Sequence, residues 1–510
     1  MLRFWKNPEF IRHLRADLRP ARAITIICVV AVICWLVGMS MWGSHKNNGS
    51  NFYLANFYRD YYLTLMSMQG GVLAMWSLFA CLQCVSGERE KKTYDFQRTT
   101  RQSSAEILIG KLLGAPMAGY FVLAITLPLS ILMGLIGGVN IFVMLASYLL
   151  ILMFVLLTGL AGLLVSMKSE KTSAAIAIPG FFFIYVLGMA GFEERENMMG
   201  GIAAFSPVTA IMQMHGSGYF SGGHADPWFI SRHVPFYFLS TFLYLTWGAW
   251  FVLMLVRNLK TDFDEIRLLS RWQSLGFVVF INFLFFAMMN PMAKMGYSQV
   301  SVSPSDIAGM AVALNLATVG FIGLLSITPT LYLKNWYRQN IAGLETYLSE
   351  NGPPWPWLLM ASVTGLALLM VYAFATTPIF PLEQWPLRHA AGTTLVGTVF
   401  ILRDVLFLQL CALTRMKRAV VSGFLFLALY YFAVCIFIVT AISERYQETR
   451  TNLFALFTPF ASFDSDFHVW GVASMAGVAI QVAVAAVLLV LLNQRLARRA
   501  AIPGEATVAA

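Results

Sequence analysis

The feature that most constrains this chain is the length of its apolar runs. A helix needs about 20 consecutive, mostly apolar residues to cross a bilayer. The 510 residues contain about twelve such runs. In the first half they are Ala23–Trp42, Tyr61–Val85, Leu112–Gly138, Ile141–Ser166, Thr172–Phe192 and Phe236–Val256. In the second they are Leu275–Met295, Ile307–Leu333, Trp357–Phe380, Ala390–Leu413, Ala419–Ile442 and Val469–Leu492. Only helices and closed barrels satisfy their own backbone inside lipid. None of the runs alternates at period two, so a barrel is excluded. With 58% hydrophobic and 12% charged residues, against roughly 25% charged in soluble domains, a soluble enzyme, a disordered chain and a soluble coiled coil are excluded as well. The expected fold is an all-α polytopic membrane protein with about twelve transmembrane helices.

Basic residues orient this map. With the N-terminus inside, most of the 35 lysines and arginines fall in cytoplasmic segments, which places both termini and the 86–111 loop in the cytoplasm. The net charge of +10 is a topology signal, and without a compact basic domain it does not imply a nucleic-acid partner. The first residues interleave Phe4, Trp5, Phe10, Ile11, Leu14 and Leu18 with Arg12, Arg15, Arg19 and Arg22. This pattern predicts an amphipathic interfacial helix on the cytoplasmic membrane face, or a charged flank that only fixes topology. The six cysteines all lie in apolar stretches and imply no disulfide framework; Cys81 and Cys84, one helical turn apart, read as packing residues.

Short strings recur in the same order along the chain. Ala204-Phe205-Ser206-Pro207-Val208-Thr209-Ala210 follows the fifth run, and Leu456-Phe457-Thr458-Pro459-Phe460-Ala461-Ser462 follows the eleventh. Met167-Lys168 and Met416-Lys417 precede those runs at nearly the same offset. A basic stretch from Arg257 to Arg271, with Ile266, Leu268, Leu269 and Trp272 on an amphipathic pattern, resembles the N-terminal segment in role. These features predict two six-helix halves, residues 1–260 and 261–510, related as a parallel pseudo-repeat.

Between the second and third runs lies Ser86-Gly87-Glu88-Arg89-Glu90-Lys91-Lys92-Thr93-Tyr94-Asp95-Phe96-Gln97-Arg98-Thr99-Thr100, then Glu106-Ile107-Leu108-Ile109-Gly110-Lys111-Leu112-Leu113. On chemistry alone, Tyr94 and Phe96 could enter a notch on a partner while Glu88, Arg89, Glu90, Lys91 and Lys92 form a polar rim that fixes register. The other reading is a solvated, topology-setting loop. The segment resembles the permeases of ABC-2 type transporters. In that family a Glu-Arg-Glu follows the second span, then a Thr, a short amphipathic helix that docks in a cleft of the ATPase subunit, and a Gly-Lys at the start of the third span. The resemblance implies a coupling role for Glu88, Arg89, Glu90, Lys92, Thr93, Tyr94, Phe96, Gly110 and Lys111. It covers about 30 residues. This chain departs from the pattern at Lys92, where the family usually has Gly, and lacks the family's Pro near Thr100. The second-half loop from Lys334 to Trp355 has no Glu-Arg-Glu and reads as a degenerate coupling loop.

No GxxxxGK[ST] occurs, so ATP would be hydrolysed by a separate cytoplasmic subunit, a dimer by family resemblance. Neither a cofactor nor enzymatic activity is expected of this chain. Arg403 and Asp404 lie mid-run, where charges are costly and often functional; they form either a structural charge network or part of a substrate or proton path. Adjacent helical residues point about 100° apart, so each is expected to need its own partner. His215, His224 and His233, with Asp226 and Glu196 nearby, match no familiar metal-ligand spacing and read as surface histidines. The functional expectation is the permease of an ATP-driven exporter in a bacterial plasma (inner) membrane, with lipid around it. Alternatives are an ion-coupled secondary transporter and a non-transporting assembly or signalling subunit. The substrate is not legible.

Overall fold

In a computed structural model of the protein, residues 7–47, 54–95, 99–168, 204–215, 228–229, 232–261, 266–288, 303–328, 330–376, 382–414, 419–441, 452–454, 456–459 and 469–500 are described. Among them the regular secondary structure is helical apart from a two-residue antiparallel pairing, β1 (Trp228–Phe229) with β2 (Arg232–His233). It divides into two compact units, Met1–Phe263 and Asp264–Ala510.

The first unit contains α1 (Pro8–Asp17), α2 (Pro20–Asn47), α3 (Leu54–Glu90), α4 (Ser104–Gly114), α5 (Met117–Ile136), α6 (Ile141–Lys168), α7 (Pro207–Met214) and α8 (Phe236–Asn258). The second contains α9 (Arg271–Met288), α10 (Pro304–Leu325), α11 (Thr330–Ile341), α12 (Trp355–Ala375), α13 (Leu387–Ala412), α14 (Ala419–Ala441) and α15 (Val472–Ala500). Ten helices among the described residues are long and apolar enough to span a membrane: α2, α3, α5, α6, α8, α9, α10, α12, α13 and α15. This is the make-up of a multi-pass membrane protein. The expected span Thr172–Phe192 lies outside the described residues. α14 fills the place of Ala419–Ile442, but its apolar stretch, Ser422–Ile438, is shorter than a full span.

Two expected runs are each split in two. Leu112–Gly138 divides at Pro116 into the end of α4 and all of α5, because proline supplies no amide to continue a helix. Ile307–Leu333 divides after Leu325 into α10 and α11, and the sequence places Pro329 at the break. Hydropathy passes smoothly through both breaks, so each run read as one span. The amphipathic pattern at 266–270 does not form a helix. Ile266, Leu268 and Leu269 are buried in irregular backbone, and Trp272, already in α9, is exposed.

Helix α3 is the axis of the first unit, packed against α5 and α6. Small residues bring the backbones together, as in other membrane bundles. A Cβ at Gly162 would lie 2.6 Å from the Leu78 carbonyl oxygen. Ser77 Oγ donates to the Val155 carbonyl (3.1 Å), and Thr158 Oγ1 to that of Ala74 (3.2 Å). Gln69, Ser130 and Tyr148 close a polar triangle between α3, α5 and α6, with contacts of 2.6–3.3 Å. The outer faces stay apolar. Ile24, Val32 and Leu36 of α2 are exposed, which fits contact with lipid rather than water.

In the second unit α10 packs against α12 and α13, and α13 also against α15. Leu333 and Trp336 of α11 enter a cluster with Leu406 of α13, Leu413 just after it, and Leu492 and Leu496 of α15.

Candidate functional site

The end of α3 is set by local geometry. Lys92 takes φ +56°, the left-handed region that favours glycine. Its amide donates to the Arg89 carbonyl (2.9 Å), and the Thr93 amide to that of Glu88 (2.9 Å). These are the paired bonds of a Schellman cap, in which the residue after the helix turns left-handed. Lys92 thus stands at a position where a side chain is strained and glycine would not be.

Beyond this turn, α4 starts at a capping box. The Ser103 hydroxyl accepts from the Glu106 amide (3.2 Å), and the Ser103 amide donates to Glu106 Oε2 (2.8 Å). The Ser103-x-x-Glu106 spacing is a legible start signal, and it separates α4 from the span. Gly110 and Lys111 therefore sit inside a short helix ahead of the third span and not at the span's start.

Glu88 and Lys111 meet in the interior. Lys111 is fully buried (0% exposed) and Glu88 nearly so (8%). Lys111 Nζ donates to Glu88 Oε2, and Arg12 of α1 donates to Glu88 Oε1. Arg12 also pairs with Glu9 at 2.8 Å. Asn7 caps α1 by accepting from the Glu9 amide (3.0 Å), and its Nδ2 donates to the Glu106 carbonyl (2.6 Å). Gly110 is where α1 and α4 touch: a Cβ there would lie 2.7 Å from Asn7 Oδ1 and 2.7 Å from Glu9 Cβ. The buried face of α1, with Phe10, is thus occupied by α4 and α5. The amphipathic helix forms as expected, but protein covers that face.

The electrostatics suit a closed joint. Burial pulls the Lys111 ammonium down, but Cys84, Glu88 and Glu9 outweigh it and hold the group above the usual lysine value. Burial, reinforced by repulsion from Arg12 and Lys111, pushes His13 down to about 4, so its imidazole is neutral at pH 7. Burial raises the Glu9 carboxyl against the opposing pull of Lys111 and Arg12. Two carboxylates, one ammonium and one guanidinium balance in charge, and a buried ion pair loses its stability when one member is removed.

Arg89 and Tyr94 extend the joint. The Arg89 guanidinium lies 5.1 Å from the Tyr94 ring centre, and its Nη1 donates to the Met167 carbonyl (2.8 Å) at the end of α6. Tyr94 is buried, and its hydroxyl donates to the Leu259 carbonyl (2.7 Å) just after α8. The segment thus fastens together the ends of α3, α6 and α8. This corrects the expected geometry: Glu88 does not belong to an exposed rim, and Tyr94 does not project toward a partner. Glu90, Lys91, Lys92 and Thr93 form an exposed run, and Asp95 and Thr99 are exposed as well. Phe96 lies outside the described residues. The roles of Asn7, Glu9 and Arg12 were not read from sequence, although Asn7-Pro8 is a recognisable helix start.

Arg403 and Asp404 are brought together as well. Arg403 Nε and Nη2 reach Asp404 Oδ1 at 2.8 and 2.6 Å. Nη1 donates to Gln481 Oε1 of α15 (2.7 Å) and Nη2 to the Tyr431 hydroxyl of α14 (2.9 Å). Tyr431 donates onward to Asp404 Oδ2 (2.6 Å). The long arginine side chain folds back onto its neighbour, so the two residues do not need separate partners. The network ties α13, α14 and α15 together.

His215 is buried and not on the surface. Its ring nitrogen lies 3.2 Å from Ser147 Oγ, and its ring meets Tyr62 edge-on. His224, Asp226 and Glu196 lie outside the described residues. Among the described residues, no group of three His, Cys, Asp or Glu side chains is placed to hold a metal.

No protein family's model matches the chain, and neither a curated protein nor a solved structure matches it. The likeness to ABC-2 permeases rests on the residues of the α3–α4 elbow.

Proposed function

We propose that this chain is the membrane-spanning permease of an ABC-2 type ATP-driven exporter, with ATP hydrolysed by a separate cytoplasmic ATPase subunit. The observation that carries the reading is the elbow between α3 and α4. An exposed charged turn, Glu90 to Thr93, is mounted on a buried ion network and on the ends of three spans. A push on that turn by a closing ATPase would reach α3, α6 and α8 as a unit, because packed elements switch between discrete arrangements and do not deform continuously. The satisfied Arg403–Asp404 network gives no added support to an ion-coupled path.

The reading includes twelve spans in two parallel six-helix halves. The apolar run Thr172–Phe192 and helix α14 would complete the count. It also places the elbow and both termini in the cytoplasm of a bacterial inner membrane. Impermeant labelling of Glu90→Cys and Gly222→Cys tests orientation: only the second should react from outside. For coupling, Glu90→Lys with Lys91→Glu and Lys92→Glu should reduce ATPase copurification at least tenfold without loss of membrane expression. Unchanged recovery of the ATPase would reject the docking surface. Glu88 and Tyr94 are poor probes of docking, because their buried partners make any substitution a test of folding.

A further inference from the structure

The elbow of the second unit differs in what it leaves uncovered. Helix α11 and residues 342–354 join the end of α10 to the start of α12, so they lie at one membrane face. The segment is rigidly built. Gly343 takes φ +73° and caps α11 with the same paired bonds seen at Lys92, from Gly343 to Asn340 (3.0 Å) and from Leu344 to Gln339 (2.8 Å). Buried Trp336 donates to the Thr346 carbonyl (3.0 Å) and packs edge-on against Tyr347. Arg271 holds the Gly352 carbonyl (2.9 Å).

On this frame four aliphatic side chains face outward: Leu331, Ile341 (70% exposed), Leu344 (78%) and Leu348. Basic residues flank them. Lys334 and Arg338 stand one turn apart on α11, whose inner face packs on Leu492 and Leu496 of α15. Arg495, Arg498 and Arg499 lie on those same turns of α15, so both helices bring positive charge to one seam. The carboxylates nearby are turned into the loop. Glu345 accepts from Ser349 (3.2 Å) and Asn351 (3.3 Å), and Glu350 from the Arg271 amide (3.2 and 3.3 Å).

We propose that this face is an anionic-lipid site, with Ile341, Leu344 and Leu348 inserted at the acyl boundary and the basic residues of α11 and α15 on the headgroups. Exposed aliphatics beside a basic cluster at a membrane face are complementary to a negatively charged leaflet. A soluble acidic protein would match the charge, but the exposed aliphatic side chains lie in the connection between two span ends, next to where a membrane surface would be. The proposal does not depend on transport or on any ATPase.

The test uses the full chain in proteoliposomes, with an environment-sensitive fluorophore on Leu344→Cys. One set of vesicles is phosphatidylcholine alone, and the other includes phosphatidylglycerol; both carry brominated acyl chains as quenchers. Quenching should be severalfold stronger with phosphatidylglycerol. Lys334→Gln with Arg338→Gln should lower that preference about fivefold per residue, and Lys334→Arg should restore its share. The doubly neutralised chain should elute as a single species in detergent. If it does not, Arg498→Gln and Arg499→Gln, on the exposed end of α15, replace it. Equal quenching in both lipids would overturn the headgroup site. Absence of quenching would overturn insertion and leave the face to a protein partner.

Discussion

The two elbows, α3–α4 and α10–α11, solve the same problem in different ways. Each joins two spans through a short helix, α4 in the first and α11 in the second, and each includes a helix ended by a left-handed residue, Lys92 after α3 and Gly343 after α11. In the first unit the joint is ionic: Lys111 and Glu88 pair inside the protein, and α1 covers the charges. In the second the buried guanidinium of Arg271 is held by neutral oxygens, and its backbone amide donates to the Glu350 carboxylate. Arg271 donates to Ser326, Thr328 and Gly352, and Gln409 bonds both the amide (2.8 Å) and the carbonyl (2.9 Å) of Thr328. The first elbow exposes a charged turn, and the second exposes an aliphatic face beside basic residues. An ionic joint has more to lose when one member is removed, because the remaining charge has no water to turn to.

The largest expected effect tests that difference. Glu88→Gln leaves Lys111 buried without its carboxylate partner and should cost about 3–5 kcal/mol, read as a fall in the detergent melting temperature. Adding Lys111→Met should recover much of the loss. If the double variant is no better than the single one, the joint is not ionic. Next comes Arg271→Gln in the other elbow. It loses charge-assisted bonds to three acceptors and should cost about 2–3 kcal/mol. A second substitution at Glu350 should not rescue it, because Arg271's side chain reaches carbonyl and hydroxyl oxygens.

A smaller effect follows from pH. His13 titrates at about 4 in the docked state, against an ordinary value of about 6.5. The undocked chain therefore binds more protons between these values, so docking of α1 is favoured as pH rises through the window and weakens as pH falls. Glu9, raised by burial, pushes the opposite way. Comparing the chain with His13→Gln isolates the histidine: protease cleavage after α1 should rise more steeply below about pH 6.5 in the parent than in the variant. Identical profiles would remove His13 from the joint. The smallest effect sharpens the likeness between the elbows. Lys92→Gly should stabilise by about 1 kcal/mol, by relieving the left-handed strain that Gly343 in the second elbow does not carry.

The sequence alone determined the class of fold and the approximate place of most spans, because apolar length is a local property that lipid reads directly. It also singled out the Glu88–Lys111 segment, Gly110 and the odd Lys92. It carried the start of α4 in Ser103 and Glu106, a signal weaker than the continuous hydropathy around it. What it could not decide was which side of each residue would be buried. Glu88 and Lys111 look like surface charges in a string, and they become a buried pair, with the half-exposed Arg12 reaching Glu88, only when α1 folds across α4 from about a hundred residues away. Arg403 and Asp404 look incompatible on an ideal helix, and a flexible side chain resolves that with help from α14 and α15. Burial of charge depends on partners supplied by distant segments, and only the tertiary structure brings those partners within hydrogen-bonding distance.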